Sequence, residues 1–344
     1  MNIAIVGAGF SGLATCYHLL QSGKCQKVTL FDRQGIGSGA SGMAAGLVHP
    51  YGGTKAKLSY HAEAALTQTL KLLQPASQAE QVALFTGILR PCTTHEQREH
   101  FSHCCHTDTE WWDEHKVQKT IPNLNLLPAL YIRSGIAVHT MRYLQGLWKA
   151  CQKMGATLEI RAIQSLKELA AFDHVISCTG AYAETIMETE NLGIKKLKGQ
   201  ILQLEWPQDL APLALPLISD GYLVASDKPG FCYAGATFER EFSSEVPDRK
   251  KAEEEIRKKV KAFSPLYSEL AFVDCKAGLR GYTKNKLPLI ARLSQKEWAI
   301  SGLGSKGLLY HAWVAKLTCK AILDNTLDHI PCELCYDNEL MTPF

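Results

Sequence analysis

The sequence predicts an α/β fold, α+β over its whole length, in which a parallel nucleotide-type layer is assembled from separated blocks and interrupted by a mostly antiparallel sheet. Three observations carry that expectation. Residues 3–6, Ile-Ala-Ile-Val, run directly into Gly7-Ala8-Gly9-Phe10-Ser11-Gly12, and an acid, Asp32, closes the next apolar run twenty residues beyond Gly12. Residues 173–180 read as a buried strand that ends in Thr179-Gly180. Near the end of the chain, an apolar run at 298–301, a glycine turn at 302–307 and a helical run at 308–323 repeat the order of the opening block.

In the opening block each part has its own physical task. The apolar run is a buried strand, Gly7 makes the tight turn, and Gly9 lets the backbone approach a pyrophosphate that faces a helix N-terminus. Phe10 and Ser11 lead into the helix, predicted over 13–22, and Gly12 allows helix and strand to pack closely. Asp32, followed by Arg33, ends the second strand, where its carboxylate accepts both hydroxyls of an adenosine ribose and repels a 2′-phosphate. This is a Rossmann-like dinucleotide site, and on the fingerprint alone its ligand is NAD or FAD. Immediately after the acid comes a second small-residue stretch, 35–46, containing Ala40, Ser41 and Gly46. A nicotinamide enzyme has no evident use for it. An extended flavin lying against backbone amides does, because glycine and alanine permit close approach, so the expected cofactor is FAD.

Further along, 59–75 reads as an amphipathic helix with Ala62, Ala65, Leu66, Leu70 and Leu73 on its apolar face. Short apolar runs bounded by glycine or proline predict strands at 82–89, 129–132, 200–204, 221–225 and 231–236. Between them a helix is expected at 140–154 and a strand at 157–160, leading past Ile163 to the strand ending in Thr179-Gly180, whose backbone can serve the same pyrophosphate. Gly302, Gly304, Ser305, Lys306 and Gly307 precede the last helix, whose N-terminus favours the negative charge a reduced flavin develops. The predicted division is a discontinuous Rossmann-like FAD-binding domain (1–58, 140–190 and 276–330), an inserted, mostly antiparallel β-sheet substrate domain (59–139 and 191–275), and a tail at 331–344.

With 46% hydrophobic and 21% charged residues, the 344-residue chain has the composition of a globular enzyme rather than a disordered segment. No run approaches the ~18 apolar residues of a membrane span, so no membrane partner is expected and the reading is cytoplasmic. A net charge of +3 is too small to announce nucleic acid. Lys195, Lys196 and Lys198 nevertheless cluster, and the basic run 249–261, interrupted by Glu253, Glu254 and Glu255, reads as a solvated helix face with paired charges. The twelve cysteines read as reduced thiols. His100, His103, Cys104, Cys105 and His106, and the pair Cys332 and Cys335, lack two clearly spaced ligand pairs, so no metal is expected.

These blocks, in this order, resemble the FAD-dependent amine oxidase family that includes D-amino acid oxidase, glycine oxidase and sarcosine oxidase. Beyond the glycine fingerprint, the resemblance is carried by Ala40-Ser41-Gly42, Thr179-Gly180 and Gly278-Leu279-Arg280, and it covers nearly the whole chain. It implies that Arg280 binds a substrate carboxylate, a role suited to a planar guanidinium with parallel donors, and that Tyr222 lines the substrate pocket. His49, before Pro50, reads as a loop histidine near the flavin ring. Within the family, the chain is most similar to the oxidase half of the bifunctional MnmC-type tRNA wobble-uridine enzymes, through 39–42, Gly46, Pro50, 219–223 and 304–308. It departs from them in that no methyltransferase domain is read in these 344 residues. The implied activity is FAD-dependent oxidation of the C–N bond of an N-substituted glycine, a small-molecule amine or a tRNA carrying the carboxymethylaminomethyl group. An imine and then glyoxylate and free amine are the implied products, with dioxygen or another electron acceptor. The alternatives are a free glycine, sarcosine or D-amino acid oxidase and, remotely, a non-catalytic flavoprotein.

Overall fold

The strand Asn2–Val6 sits at the centre of a parallel layer because both of its faces are apolar: Ile3 and Ile5 point into one core and Ala4 and Val6 into another, as the period of two requires. The computed structural model describes residues 1–104 and 106–337. Five strands run parallel in the order Thr157–Ile160, Lys27–Asp32, Asn2–Val6, His174–Ser177, Glu297–Ser301. Leu289–Arg292 joins the last of these antiparallel, and Cys335–Asp337 closes the sheet beside it. Part of the segment read as a tail is therefore an edge strand; residues 338–344 lie outside the described residues.

Helices Phe10–Gln21, Ala62–Ala76, Thr140–Lys153 and Gly307–Asp324 pack together over the Ile3 and Ile5 face. Phe10–Gln21 begins three residues earlier than its apolar period suggests, with Gly9 as its N-cap. In Ala62–Ala76 the buried side chains include Thr69 and Leu72, whereas Leu70 is 40% exposed. The Thr69 hydroxyl earns its place there by donating to the carbonyls of Leu308 and Leu309.

The second layer is an eight-stranded sheet in the order Phe272–Tyr282, Lys195–Glu205, Phe231–Gly235, Tyr222–Ala225, Leu217–Ile218, Ile88–Pro91, Ala129–Ile132, Thr109–Trp112. All neighbours are antiparallel except the contact of Leu217–Ile218 with Ile88–Pro91. The helix Arg249–Lys261 covers it, burying Ala252, Ile256 and Val260 at a spacing of four against Leu202, Leu223 and Ala234. The run 82–89 is split, because Gly87 turns at φ +80°: Ala83–Leu84 joins a three-stranded sheet with Leu47–Val48 and Ile136–Val138, and Ile88–Pro91 joins the large one. The strand expected at 200–204 extends to Lys195–Glu205. Its lysines fit because Lys198 buries its stem and donates to the carbonyls of Ser244 and Val246. Its partner Phe272–Tyr282 carries residues 276–282, expected in the nucleotide layer, into the antiparallel sheet, and Tyr282 then bridges back to Leu303.

A very close backbone approach lies under the opening turn, where a Cβ on Gly12 would stand 1.9 Å from the Gly7 carbonyl oxygen. Gly12→Ala is expected to destabilise the protein by about 3 kcal/mol or to prevent folding, since backbone and not a flexible side chain must give way. Gly39→Ala, whose added Cβ meets nothing within 4 Å, is expected to stay within about 0.5 kcal/mol of wild type in denaturant unfolding. Equal losses in the two variants would contradict this packing account.

Candidate active site

A cavity of about 1040 Å³ lies between the carboxyl ends of the parallel strands and the antiparallel sheet. Gly7, Gly9, Phe10, Ser11, Asp32, Arg33, Ala40, Ser41, Gly46, Ile163, Thr179, Gly180, Tyr222, Arg280, Gly302, Gly304, Ser305, Lys306 and Gly307 all line it. The structure thus brings together nearly every position singled out in the sequence. Gly12 is beneath the wall instead, where its task is packing.

At one end the helix Phe10–Gln21 points its N-terminus at the cavity with no acidic residue in its first turn, and Ser41 Oγ accepts from the Phe10 amide at 3.1 Å. The helix Gly307–Asp324 likewise has no acid in its first turn. Two helix N-termini on one cavity favour anionic groups there. Asp32 is more engaged than expected. Its Oδ1 accepts from the amides of Gln34 and Gly35 and from Ser38 Oγ, while Oδ2 accepts from the Ala8 amide at 2.8 Å. Oδ1 is thereby saturated, which leaves Oδ2 as the oxygen able to take a further hydroxyl. Arg33 lies over the Tyr182 ring at 4.2 Å on the same side.

At the other end two bare strand positions make room for the polar groups. A Cβ on Gly199 would stand 2.5 Å from Arg280 Nη2, and one on Gly235 would stand 2.3 Å from Tyr222 Oη. Arg280 and Tyr222 therefore lie flat over the glycines of the two strands that separate their own. Burial pushes the Tyr222 phenol well above its usual range, with Arg280 pulling it partly back, and burial lowers the Arg280 guanidinium. The Arg280 side chain makes no hydrogen bond or ion pair among the described residues; its buried Nη1 has no partner, and the Phe238 ring centre stands 5.2 Å from its Cζ. A desolvated cation without a partner is costly. A carboxylate would satisfy it through parallel N–H donors.

His49 also lines the cavity, with Nδ1 buried and unpartnered. Burial first, then the charges of Arg90 and Lys306, lower its pKa to about 3, so the imidazole is neutral. Arg90 is the residue that sequence reasoning missed. It is 3% exposed, donates to the carbonyls of Tyr51 and Gly53, lies over the Phe101 ring, and so ties the 51–53 loop to the antiparallel sheet. The available signal was a single arginine inside the apolar run Ile88–Pro91. Lys306 packs its Cε near Gly52 and has no ion pair among the described residues; burial and Lys286 lower its pKa. Among the described residues, no three His, Cys, Asp or Glu side chains gather as metal ligands. Cys105 lies outside the described residues. Among the described residues, no helix is long and apolar enough to cross a membrane.

The DAO family of FAD dependent oxidoreductases matches residues 2–321. A glycine oxidase from Bacillus licheniformis is 24% identical over 348 residues, covering 93% of this chain and 92% of its own. The crystal structure of glycine oxidase from Geobacillus kaustophilus superposes with a TM-score of 0.80 at 19% identity, over 94% of this chain and 95% of that one. Iminodiacetate oxidase from Chelativorans sp. BNC1 superposes with a TM-score of 0.78 at 18% identity, over 98% and 99%. These structures share the fold. With the family matched from the first strand through most of the last long helix, this chain belongs to the FAD dependent oxidoreductases and is an enzyme that uses FAD.

Proposed function

We propose that this enzyme oxidises the C–N bond of an N-substituted glycine whose carboxylate is held by Arg280, yielding an imine that water hydrolyses to glyoxylate and the free amine. The observation that carries the reading is the largely buried, unpartnered Arg280 guanidinium at the end of the cavity away from Asp32. In this reading the FAD pyrophosphate is held by Gly7, Gly9, Phe10, Ser11, Thr179 and Gly180, and its adenosine by Asp32, Arg33 and Ile163. Ala40, Ser41, Gly46, Gly302, Gly304, Ser305, Lys306 and Gly307 hold the flavin end. The small side chains and the two helix N-termini fit that elongated anionic group. Bound FAD supplies the two-electron acceptor, and dioxygen or another acceptor restores it.

The protein's part is to bind, orient and keep the amine neutral. Arg280 fixes the carboxylate and so places the adjacent methylene, while Tyr222 walls the same end; positioning of this kind is a large part of rate enhancement. The positive charges of Arg280, Arg90 and Lys306 line the space and outnumber Asp220, the acid lining it that interacts with Arg90. That field disfavours an ammonium and lowers the amine's pKa on binding. His49, held neutral, adds no competing charge.

Small amines such as glycine, sarcosine or an iminodiacetate-like compound come first. The similarity to glycine oxidases and to an iminodiacetate oxidase supports them. The carboxymethylaminomethyl arm of a tRNA wobble uridine has the same anchor and is the second reading. Against it, much of the basic surface is already paired: Lys196 with Glu184 and Glu245, Arg249 and Arg257 with Glu253, Lys259 with Glu255.

Anaerobic mixing of the flavoprotein with glycine, sarcosine, iminodiacetate, D-alanine and the modified tRNA tests this, with flavin bleaching as the readout. An N-substituted glycine is expected to bleach fastest, and Arg280→Met to lower kcat/KM by about 2–5 kcal/mol, thirtyfold or more. Unchanged bleaching by Arg280→Met would remove the anchor. A pH profile provides a second check. Because the His49 pKa is lowered to about 3, the imidazole does not titrate above pH 5. The rise of kcat/KM with pH is therefore expected to follow the amine's own pKa when a less basic substrate replaces sarcosine. A limb fixed at one pH for both amines would assign the proton to the protein.

A further inference from the structure

We infer that Phe238 is a specificity-determining residue that offers a stacking surface to the substituent on the amine nitrogen, so that among N-substituted glycines with large substituents those carrying a flat unsaturated ring bind more tightly than saturated ones of equal size. The inference rests on the reading that Arg280 holds the substrate carboxylate.

The backbone around Phe238 is fixed on every side. Ala236 is 1% and Thr237 0% exposed. The Lys259 ammonium donates to the Ala236 carbonyl at 2.7 Å. The Thr237 hydroxyl accepts from the Gln200 amide and donates to the Glu239 carboxylate, and Glu239 and Lys198 exchange both backbone hydrogen bonds at 2.9 Å. Sequence and packing therefore hold an aromatic residue in one place. Its side chain is nevertheless 54% exposed.

A singly exposed apolar residue is ordinary on a protein surface. This one also lines the cavity, and its ring centre is 5.2 Å from the unpartnered Arg280 guanidinium carbon. In an N-substituted glycine only a methylene and the nitrogen separate the carboxylate from the substituent. A group carried on the nitrogen of an Arg280-bound substrate thus falls within reach of a ring that touches the same guanidinium. The Lys259 ammonium also stands over the ring, 5.4 Å from its centre, yet with both cations in place Phe238 stays 54% exposed, and a flat ring covers that exposed part with offset stacking that a saturated group of equal size does not reproduce.

The experiment compares sarcosine, N-benzylglycine and N-(cyclohexylmethyl)glycine in anaerobic flavin reduction by wild type, Phe238→Ala and Phe238→Trp, each loaded with FAD and matched in thermal stability. Wild type is expected to show an apparent Kd for N-benzylglycine about tenfold below that for the cyclohexyl analogue. Phe238→Ala is expected to abolish that ratio while the limiting reduction rate changes less than the apparent Kd, and Phe238→Trp to keep it. If Phe238→Ala weakens all three substrates by one factor, the ring merely shields Arg280 and the inference is overturned. Equal affinity of wild type for the flat and saturated rings overturns it as well. If sarcosine and both larger amines all fail to reduce wild-type flavin, the N-substituted glycine reading itself falls and takes this inference with it.

Discussion

The long antiparallel ladder between Lys195–Glu205 and Phe272–Tyr282 is the constraint from which the rest of the site follows. One end of it carries Arg280. One residue later Gly281 lies against the Gly180 carbonyl, where a Cβ would come within 2.8 Å of the oxygen, and Tyr282 bridges to Leu303 at the entry to the last helix. Backbone therefore connects the arginine to both of the turns that face the cavity. Because those contacts are main chain on main chain, the distance from the arginine to the two helix N-termini has little freedom to vary, and little of it is entrusted to flexible side chains.

Around that frame the cavity keeps charge unbalanced in a deliberate pattern. Arg90 spends two donors on loop carbonyls, whereas Arg280 and Lys306 have no ion pair among the described residues. At the far end Asp32 is covered by amides and a hydroxyl. Desolvated cations that the protein leaves unsatisfied cost stability, and their persistence in one wall is physically reasonable only if an incoming anion satisfies them. His49 shows the same field from the other side, since it is the neutral form that burial and its cationic neighbours retain.

Much of this was legible in the sequence because it depends on local chemistry. The opening strand, its glycines and Asp32 declare themselves through spacing, and the family resemblance rests on short motifs that the structure gathers onto one cavity. What was not legible is non-local. The 195–198 run looks like surface charge until Lys198 finds two carbonyls some fifty residues away. Phe272–Tyr282 lacks clear alternation because it is an edge strand, half exposed on both faces. Arg90 acquires its task only when a loop forty residues earlier folds beneath it. The break at Gly87 and the late strand Cys335–Asp337 are likewise settled by which partners arrive.

The order of the parallel strands has a consequence for synthesis. His174–Ser177 has Asn2–Val6 on one side, available early, but its other neighbour is Glu297–Ser301. From Ser177 to Glu297 is 297 minus 177, or 120 residues. At about 5–20 residues per second, a ribosome leaves that apolar edge without its partner for roughly 6–24 s. The nascent chain must therefore pass through a state in which an open strand edge waits for sequence not yet made, a period when chaperone binding or association with a neighbouring chain competes with completion of the sheet.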